Sequence, residues 1–314
     1  MKILVTGGAG FIGRWVVNKL LEDYLVIALD NLSNSNMRNI ANFHGNSKFE
    51  FLRADILDRD LIKAAFKEVD LCIHLAAQVN VQESLDYPDR SFASNVIGTY
   101  NVLEECRKND VKLVLVGTCL VYDVALSQAI DEEHPIKPTS PYSGSKIAAE
   151  SLAISYYHGY GLPIVLLRPF NTYGPYQKSS AEGGVVSIFI KSFLEGRDIL
   201  IYGDGEQTRD FLYVEDCADF IVKAAFCEEA VGEVINAGTG KDVSINDLAR
   251  MICKDKTKIK HVPHIHPQSE IRKLVCDCSK ARRLLRWEPT TSLEEGVRKT
   301  MQWIRSMSSS SNQD

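Results

Sequence analysis

The sequence predicts an α/β fold, in which a doubly wound parallel sheet is followed by a smaller α/β lobe. Six short runs rich in Val, Ile and Leu alternate with segments whose apolar residues recur at helical spacing. Strands of this composition are typical of parallel sheets that helices cover on both faces. The runs lie at residues 2–7, 25–30, 49–55, 71–77, 112–117 and 163–169.

The first predicted strand leads directly into a glycine-rich segment at residues 7–13, and a helix follows it. Gly7, Gly10 and Gly13 permit a tight turn, close approach of a pyrophosphate to the backbone, and close helix–strand packing. The second strand ends in Asp30, whose carboxylate can accept hydrogen bonds from both ribose hydroxyls and repels a 2′-phosphate. The sequence therefore predicts a Rossmann-type domain over residues 1–169 that binds NAD in preference to NADP or FAD.

Two further motifs place reactive side chains in this domain. The fifth strand stops at the polar pair Thr118-Cys119, and Tyr142 precedes Lys146 by four residues in "SPYSGSK". Pro141 favours a helix start at this point, and the spacing of four then puts the phenol and the ammonium on one helix face. A nearby ammonium stabilises a phenolate, so we expect Lys146 to lower the pKa of Tyr142.

After Pro169 the pattern changes to glycine-rich loops and short helical pieces, which predict a smaller lobe over residues 170–307. This lobe is expected to lie over the carboxyl ends of the sheet, where open α/β sheets bind ligands. The segment 211–225 can pack back on the larger domain. Residues 308–314 are of low complexity and are predicted to be a disordered tail.

Composition limits the possible partners. The formal net charge of −5 gives no basic face for nucleic acid, and no apolar run reaches the ~18 residues needed to cross a bilayer. No secretory signal is predicted at the start. The eight cysteines form no Cys-x-x-Cys pair, which favours reduced thiols and a cytoplasmic location. Packing is favoured over metal binding for Cys276 and Cys278, and a polar strand is favoured over a zinc site for "HVPHIHP".

The motifs "TGGAGFIG", "HLAA", "SPYSGSK" and "YGDGEQTRDFLYVEDCAD" resemble those of extended short-chain dehydrogenases/reductases. Within that group they resemble NAD-dependent nucleotide-sugar epimerases and dehydratases, in the same order and from residue 1 to about 305. The resemblance implies that Tyr142 removes a proton from the sugar 4-hydroxyl while hydride passes to NAD. It also implies that Thr118 holds the same oxygen, that Lys146 binds the nicotinamide ribose, and that a transient 4-keto sugar forms.

The resemblance further assigns two sets of binding residues. The set for the cofactor is Gly7, Gly10, Phe11, Ile12, Gly13, Asp30, Asn31, Asp55, Ile56, Leu75, Ala76, Ala77, Asn95, Tyr142 and Lys146. The set for a UDP-sugar is Gln78, Thr118, Asn171, Val185, Val186, Tyr202, Arg209 and Arg272. Arginine suits this task because its fork binds phosphate bidentately. A surface ion pair with Asp210 or Glu206 is the alternative for Arg209.

Cys119 separates two possible reactions. Dehydratases of the dTDP-glucose type place Asp-Glu after the threonine, whereas this chain has Cys119-Leu120. In a 4-epimerase the thiol would be a small buried apolar group. As a proton carrier it favours loss of the C5 proton and the C6 hydroxyl, and a Thr-Cys pair is similar to that of UDP-apiose synthases and sugar-nucleotide 5,6-dehydratases. Dehydration of UDP-N-acetylglucosamine is slightly favoured over 4-epimerisation.

Two other classes remain as alternatives. A non-catalytic NAD-binding sensor of this fold would be expected to lack Thr118, Tyr142 or Lys146, and all three are present. An enzyme of net oxidation or reduction would exchange its cofactor in each turnover. The family resemblance also implies a homodimer, formed when the helices predicted around residues 94–109 and 145–159 pair across a two-fold axis into a four-helix bundle.

Overall fold

The structure is a computed structural model that describes residues 1–125, 129–180 and 183–310. Its strands are β1 (Lys2–Thr6), β2 (Leu25–Asp30), β3 (Phe49–Arg53), β4 (Leu71–His74), β5 (Lys112–Val116), β6 (Ile164–Pro169), β7 (Asn171–Tyr173), β8 (Ile199–Tyr202), β9 (Thr208–Tyr213), β10 (Val234–Ala237), β11 (Asp242–Ser244), β12 (Ile259–Val262) and β13 (Lys273–Leu274). Its α-helices are α1 (Gly13–Leu20), α2 (Arg59–Ala65), α3 (Val81–Asp86), α4 (Pro88–Phe92), α5 (Thr99–Asn109), α6 (Pro141–Tyr160), α7 (Val185–Leu194), α8 (Val214–Ala225), α9 (Ile245–Ile252), α10 (Ser279–Leu285) and α11 (Leu293–Ser310).

The large sheet has seven strands in the order β10-β6-β5-β4-β1-β2-β3, and all its pairings are parallel. This confirms the predicted fold class, and each of the six predicted runs forms one of these strands. The order reverses between β1 and β4, and open sheets of this kind bind ligands outside the carboxyl ends of the strands at such a point. The sheet therefore places the ligand crevice between the first and fourth strands.

The seventh strand of the large sheet comes from the part of the chain that the sequence assigned to the smaller lobe. Strand β10 pairs with β6, with Val234 opposite Leu166. The domain boundary at residue 169 stays a prediction. The large sheet contains strands from both sides of that residue. The chain leaves the large sheet after β6 and returns to it about 65 residues later as β10, an edge strand whose last three residues are buried.

The segment 211–225 is split between the two parts of the molecule. Its first residues belong to β9, which pairs with β7, β11 and β13 in a small mixed sheet. Its remainder forms α8, which packs on α1 and carries a salt bridge of 3.0 Å between Asp219 and Lys19. The smaller lobe also contains a parallel pair of strands, β8 and β12.

Alternation along β1 shows how the large sheet is covered on both faces. Ile3 and Val5 pack into one apolar core and Leu4 packs into the other, and all three are fully buried. Successive side chains of a strand point to opposite faces, so one apolar run supplies both cores. A third apolar core, which includes Phe189, Ile201 and Leu248, lies in the smaller lobe.

Helix α6 begins as the sequence predicts. Ser140 is its N-cap, Pro141 is its first residue, and Ser140 and Ser143 form a reciprocal capping box. The helix ends at Gly161, whose φ of +69° is a left-handed conformation that glycine adopts readily. These local signals fix the start of the helix that carries Tyr142 and Lys146.

The last helix, α11, runs to Ser310, so it enters the segment predicted as a tail; residues 311–314 lie outside the described residues. None of the helices in the described ranges is long and apolar enough to span a membrane. The eight cysteines are all free thiols, and seven of them are buried.

Candidate active site

The glycine-rich segment forms a close-packed turn at the start of α1. The amide of Gly7 donates to the carbonyl of Leu29 at 2.8 Å, and that of Gly10 donates to the carbonyl of Gly7 at 3.0 Å. A Cβ added at Gly13 would lie only 2.0 Å from the carbonyl oxygen of Gly7. The turn therefore requires glycine at 13 and leaves backbone and helix amides to face an anionic ligand, as a dinucleotide pyrophosphate requires.

Asp30 stands beside this turn with its carboxylate fixed. One carboxylate oxygen accepts from the Ala9 amide at 3.1 Å, and the other accepts from the Leu32 amide and the Ser35 hydroxyl at 2.8 Å each. Its neighbour Asn31 donates to the Asp55 carboxylate at 2.8 Å. A carboxylate held in this way at the end of β2 fits the ribose of NAD, so these residues fit that cofactor.

One cleft of about 890 Å³ runs from the glycine-rich turn across the carboxyl ends of the strands to α7 and α11. It brings together most of the residues predicted for the site: Gly7, Gly10, Phe11, Ile12, Gly13, Asp30, Asn31, Ile56, Leu75, Ala76, Ala77, Thr118, Cys119, Tyr142, Lys146, Asn171, Val185 and Val186. The predicted residues outside its described lining are Asp55, Gln78, Asn95, Tyr202, Arg209 and Arg272. The residues predicted to bind the cofactor and those predicted to react therefore line one continuous cleft.

Tyr142 and Lys146 face the cleft from the first turns of α6. Burial raises the pKa of Tyr142 to about 12, and the Thr118 hydroxyl, which hydrogen-bonds the phenol, partly opposes this. Burial lowers the pKa of Lys146 to about 8, partly offset by the negative charge of Glu150. The Lys146 ammonium donates to the Val116 carbonyl at 2.7 Å.

The expected effect of the lysine on the tyrosine is not what this structure shows. Among the described residues, the groups that act on the Tyr142 phenol besides burial are Thr118, Cys119 and Glu150. The physical reason is that the Lys146 ammonium is directed to a backbone carbonyl at the end of β5 rather than to the phenol.

Cys119 follows Thr118 in a single tight turn at the end of β5. The Thr118 hydroxyl accepts from the Leu120 amide at 3.3 Å and so caps this turn. Cys119 is 2% exposed and lines the cleft, and burial raises the pKa of its thiol to about 12. At neutral pH the group beside Thr118 is therefore a protonated thiol.

The residues predicted to bind the nucleotide sugar divide into two groups. Asn171 lines the cleft, and its side-chain oxygen is buried with no hydrogen-bond partner in the described part of the chain, which suits a ligand donor. Arg209 is instead paired with Glu270 and donates to the Ile271 carbonyl at 2.7 Å. Arg272 makes an exposed fork to Asp204 at 2.9 and 3.0 Å. Neither Asp210 nor Glu206 is the partner of Arg209.

Gln78 and Asn95 hold each other rather than facing the cleft. The Asn95 side-chain oxygen accepts from the backbone N–H of Gln78 at 2.8 Å, and the Asn95 side-chain amide donates to the backbone carbonyl of Gln78 at 3.0 Å and to the Ser145 hydroxyl at 2.8 Å. These bonds tie the loop after β4 to α6. Tyr202, on β8, is 43% exposed and its ring lies 6.3 Å from that of His264. The binding roles predicted for these residues stay predictions.

An aromatic group at one end of the cleft was missed in the sequence. The Arg14 guanidinium lies 3.8 Å from the ring centre of Tyr176, which lies 4.8 Å from the ring of Trp303 on α11. Tyr176 and Trp303 both line the cleft. Since they come from distant loops and helices and form no spaced motif, only the tertiary structure brings them together.

The fold and the site define a dinucleotide-dependent enzyme class, the extended short-chain dehydrogenases/reductases. The chain belongs to the family described as GDP-mannose 4,6 dehydratase, whose model matches residues 4–300. This confirms the resemblance predicted from the motifs and places the chain among NAD-dependent nucleotide-sugar epimerases and dehydratases.

Individual relatives match over nearly the whole chain. A structure of Pal from Bacillus thuringiensis is 55% identical with a TM-score of 0.96, covering 98% of this chain and 100% of that one. The UDP-glucose 4-epimerase of Mycolicibacterium smegmatis is 37% identical over 98% of this chain and 100% of its own length. UDP-glucuronic acid 4-epimerase from Bacillus cereus, solved with UDP-glucuronic acid and NAD, is 34% identical with a TM-score of 0.91, covering 98% and 100%. At the level of the family these neighbours confirm the NAD prediction.

Proposed function

We propose that this protein binds NAD and a UDP-hexosamine, oxidises C4 of the sugar to a transient ketone, and uses the ketone to remove water across C5 and C6. The observation that carries the proposal is the single cleft that joins the glycine-rich turn to Thr118, Cys119 and Tyr142. When bound, NAD would accept the hydride of C4 and give it back after water has left, either to C4 with the C5–C6 double bond kept or to C6 with a proton added at C5. UDP-N-acetylglucosamine is the substrate we favour.

In the first step the protein moves one proton and orients one hydroxyl. The Tyr142 phenolate takes the proton of the 4-hydroxyl, and Thr118 donates a hydrogen bond to the same oxygen. Lys146, one turn further along α6, would donate a hydrogen bond to the nicotinamide ribose when NAD is bound. The resting phenol is protonated, so a positive charge bound in the cleft must favour its ionised form for this step.

Cys119 then serves the elimination in its protonated form. The thiol gives its proton to the C6 hydroxyl, which leaves as water, while the sulfur takes the proton of C5 that the ketone has acidified. The C5–H and C6–O bonds break, the C5–C6 double bond forms, and the thiol is regenerated. A thiol whose pKa is raised suits this exchange because it holds its proton until the leaving oxygen takes it.

A 4-epimerase is the second candidate, and a specific observation favours it. The turn Thr118-Cys119-Leu120 presents no carboxylate, and the relatives from M. smegmatis and B. cereus carry the names of 4-epimerases. In that reaction the ketone would rotate and be reduced on its other face, and Cys119 would only fill space. A sensor without catalysis is disfavoured because Thr118, Tyr142 and Lys146 all line the cleft.

The deciding experiment incubates the purified protein with UDP-N-acetylglucosamine in deuterated water and weighs the sugar nucleotide. A product lighter by one water supports dehydration, and deuterium at C5 would show that a protein acid has protonated that carbon. An unchanged mass without deuterium, together with a new C4 isomer, supports the epimerase. Tyr142→Phe should lower either reaction by roughly 10²–10⁴-fold, whereas the exposed Tyr160→Phe on the same helix should not. Full activity of Tyr142→Phe would refute the shared first step.

We also propose a homodimer and a cytoplasmic location. Phe92, Ile97, Ile154 and Tyr160 expose between 38% and 63% of their surface along α4, the turn that follows it, and α6. Apolar side chains clustered on neighbouring helices suit a four-helix interface between two copies. Eight unpaired cysteines support a reducing compartment.

A further inference from the structure

A buried ion pair joins α6, the helix of Tyr142 and Lys146, to β6. None of the proposed reaction steps uses this pair. Glu150 and Arg168 have side chains that are 2% and 5% exposed. Arg168 donates to the Glu150 carboxylate from Nε at 3.1 Å and from Nη2 at 2.7 Å. Charges are costly to bury, so a pair at this depth needs a reason beyond stability.

Glu150 lies next to residues that line the cleft on two sides. It follows Lys146 by four residues and Tyr142 by eight, which puts all three on one face of α6. On the other side its carboxylate reaches the end of β5, because a Cβ added at Gly117 would lie 2.2 Å from Glu150 Oε1. Gly117 immediately precedes Thr118 and lines the cleft.

Arg168 is held in turn by a chain of buried polar groups. Its Nη1 donates to the Tyr122 hydroxyl at 2.8 Å, and that hydroxyl donates to the Asn236 side chain at 2.8 Å. The backbone N–H of Asn236 donates to the Glu132 carboxylate at 2.7 Å. This series of hydrogen bonds links β6, the turn after β5 and β10. All three therefore help to fix Arg168, which in turn holds the Glu150 carboxylate.

The charged and titratable groups around this carboxylate and the Lys146 ammonium come from four parts of the chain. On α6 itself they are Tyr142 and Lys146, and on β6 the group is Arg168. The turns after β5 contribute Tyr122, which Arg168 contacts, and Cys119, which acts on Tyr142, and β4 contributes His74, which Lys146 acts on. The negative charge of Glu150 acts on Lys146 and favours its protonated form.

We propose that Glu150 is a positioning residue of the active site: locked by Arg168, it supports the Gly117–Thr118 end of β5 and supplies the negative charge that balances the Lys146 ammonium below Tyr142. The inference rests on the proposed function of Tyr142 and Lys146. Without Glu150 the ammonium and the phenol keep their places on α6, but the ammonium loses its proton more easily.

The test follows the titration of Lys146 by NMR in the NAD-saturated protein, with lysine labelled at ¹³Cε and the signal assigned by Lys146→Met. Glu150→Gln should lower the midpoint of Lys146 by about one pH unit, because a like-sized side chain without charge no longer favours the ammonium. Glu150→Asp keeps the charge and should return the midpoint towards that of the natural protein. If Glu150→Gln does not fold, the double variant Glu150→Gln/Arg168→Gln removes both buried charges and should show the same lowered midpoint.

The matched control is Glu104→Gln on α5. Glu104 also pairs with an arginine, Arg107, and also contacts α6, but it does so at Tyr156. Tyr156 lies ten residues beyond Lys146, which is about 15 Å along the helix. This control should leave the Lys146 midpoint unchanged.

An unchanged midpoint in both Glu150→Gln and the double variant would overturn the proposal, and so would an equal shift in Glu104→Gln. The NMR midpoint needs no turnover, so it separates this inference from the proposed function. Suppose that neither the natural protein nor any variant reduces NAD when a UDP-sugar is added, but that the Lys146 midpoints differ as expected. The proposed function then fails, and the positioning role of Glu150 stands. Where NAD reduction is seen, its pH profile should move to lower pH in Glu150→Gln.

Discussion

Tyr142 and Cys119 face the same cleft, and burial acts on both in the same direction. The pKa of each is raised to about 12, so both carry their protons at neutral pH in the absence of a charged ligand. In the proposed first step, the raised pKa of the phenol would delay proton removal until a positive charge is bound nearby. In the proposed elimination, the raised pKa of the thiol would keep a proton available for the leaving oxygen.

Replacing the thiol should separate the two proposed reactions. Cys119→Ser keeps the size of the side chain and makes it a poorer proton carrier, so dehydration should fall by roughly 10²–10⁴-fold while NAD reduction at C4 continues. Mass analysis of the product and the absorbance of reduced cofactor would measure the two steps. Cys227→Ser, outside the cleft lining, should change neither, and unchanged dehydration in Cys119→Ser would assign the thiol to packing alone.

His74 makes stability depend on pH. Its ring is held between the hydroxyls of Thr6 at 2.6 Å and Thr99 at 3.0 Å, and burial, with the charge of Lys146, lowers its pKa to about 3. The unfolded chain therefore binds a proton more readily than the folded one. Stability is retained above about pH 6.5 and falls towards pH 3 at up to about 1.4 kcal/mol per pH unit.

Substitution should remove this acid sensitivity. The free energy of unfolding can be measured by urea titration between pH 7 and pH 4. As the pH is lowered it should fall less steeply in His74→Asn than in the natural protein, by up to about 1.4 kcal/mol per pH unit. His158→Asn at the exposed end of α6 should keep the natural slope. Equal slopes in His74→Asn and the natural protein would show that His74 is not the titrating group.

At the scale of elements, the glycine-rich turn and α1 act as one unit. The Gly13 position faces the Gly7 carbonyl so closely that a methyl group has no room. The shape of the turn, rather than any side chain, then presents the helix amides to the cofactor phosphates. Helix α6 is the opposite case, because Gly144 and Gly159 in it have no atom within 4 Å of an added Cβ.

This contrast gives a paired prediction. Gly13→Ala should weaken NAD binding by about tenfold or more, a loss of about 1.4 kcal/mol, because the turn must open to admit the methyl group. Gly159→Ala should leave NAD affinity unchanged and raise stability by up to about 1 kcal/mol, since alanine favours helix. Calorimetric titration with NAD and thermal unfolding would measure both; tight NAD binding by Gly13→Ala would contradict the role of the turn.

At the scale of the whole molecule, the return of the chain to the large sheet shapes the cleft. The chain enters the smaller lobe after β6 and returns to the large sheet as β10. The lobe is therefore connected to the sheet at two points. Helix α8 adds a third tie through α1. The cleft is therefore bounded on one side by strand ends and on the other by α7 and α11.

The proposed dimer belongs to this scale. Ile154 on α6 is 40% exposed, and Ile154→Glu would place a charge in a four-helix interface. Light scattering after gel filtration should find a dimer for the natural protein and a monomer for Ile154→Glu. Leu200→Glu is the control, because Leu200 is 47% exposed on β8 in the other lobe and should leave the dimer intact. A natural protein that is monomeric would refute the dimer.

The sequence by itself determined the elements whose signals are local. Six parallel strands, the glycine-rich turn, the carboxylate at Asp30 and the start of α6 all follow from side-chain period, glycine spacing and capping within a few residues. The family followed from the same motifs, because the cofactor and the proton-transfer step each need fixed residue types at fixed spacing. These features depend on backbone geometry over short distances, which the sequence states directly.

Only the tertiary structure decided where the groups with several possible partners are directed. It turned Lys146 to the Val116 carbonyl, paired Arg209 with Glu270, and joined β10 to the large sheet. It also placed Glu150 and Arg168 beneath Gly117 and brought Tyr176 to Trp303. The physical reason is that a charged or aromatic side chain takes the partner that packing brings nearest, and packing unites residues that are far apart in the chain.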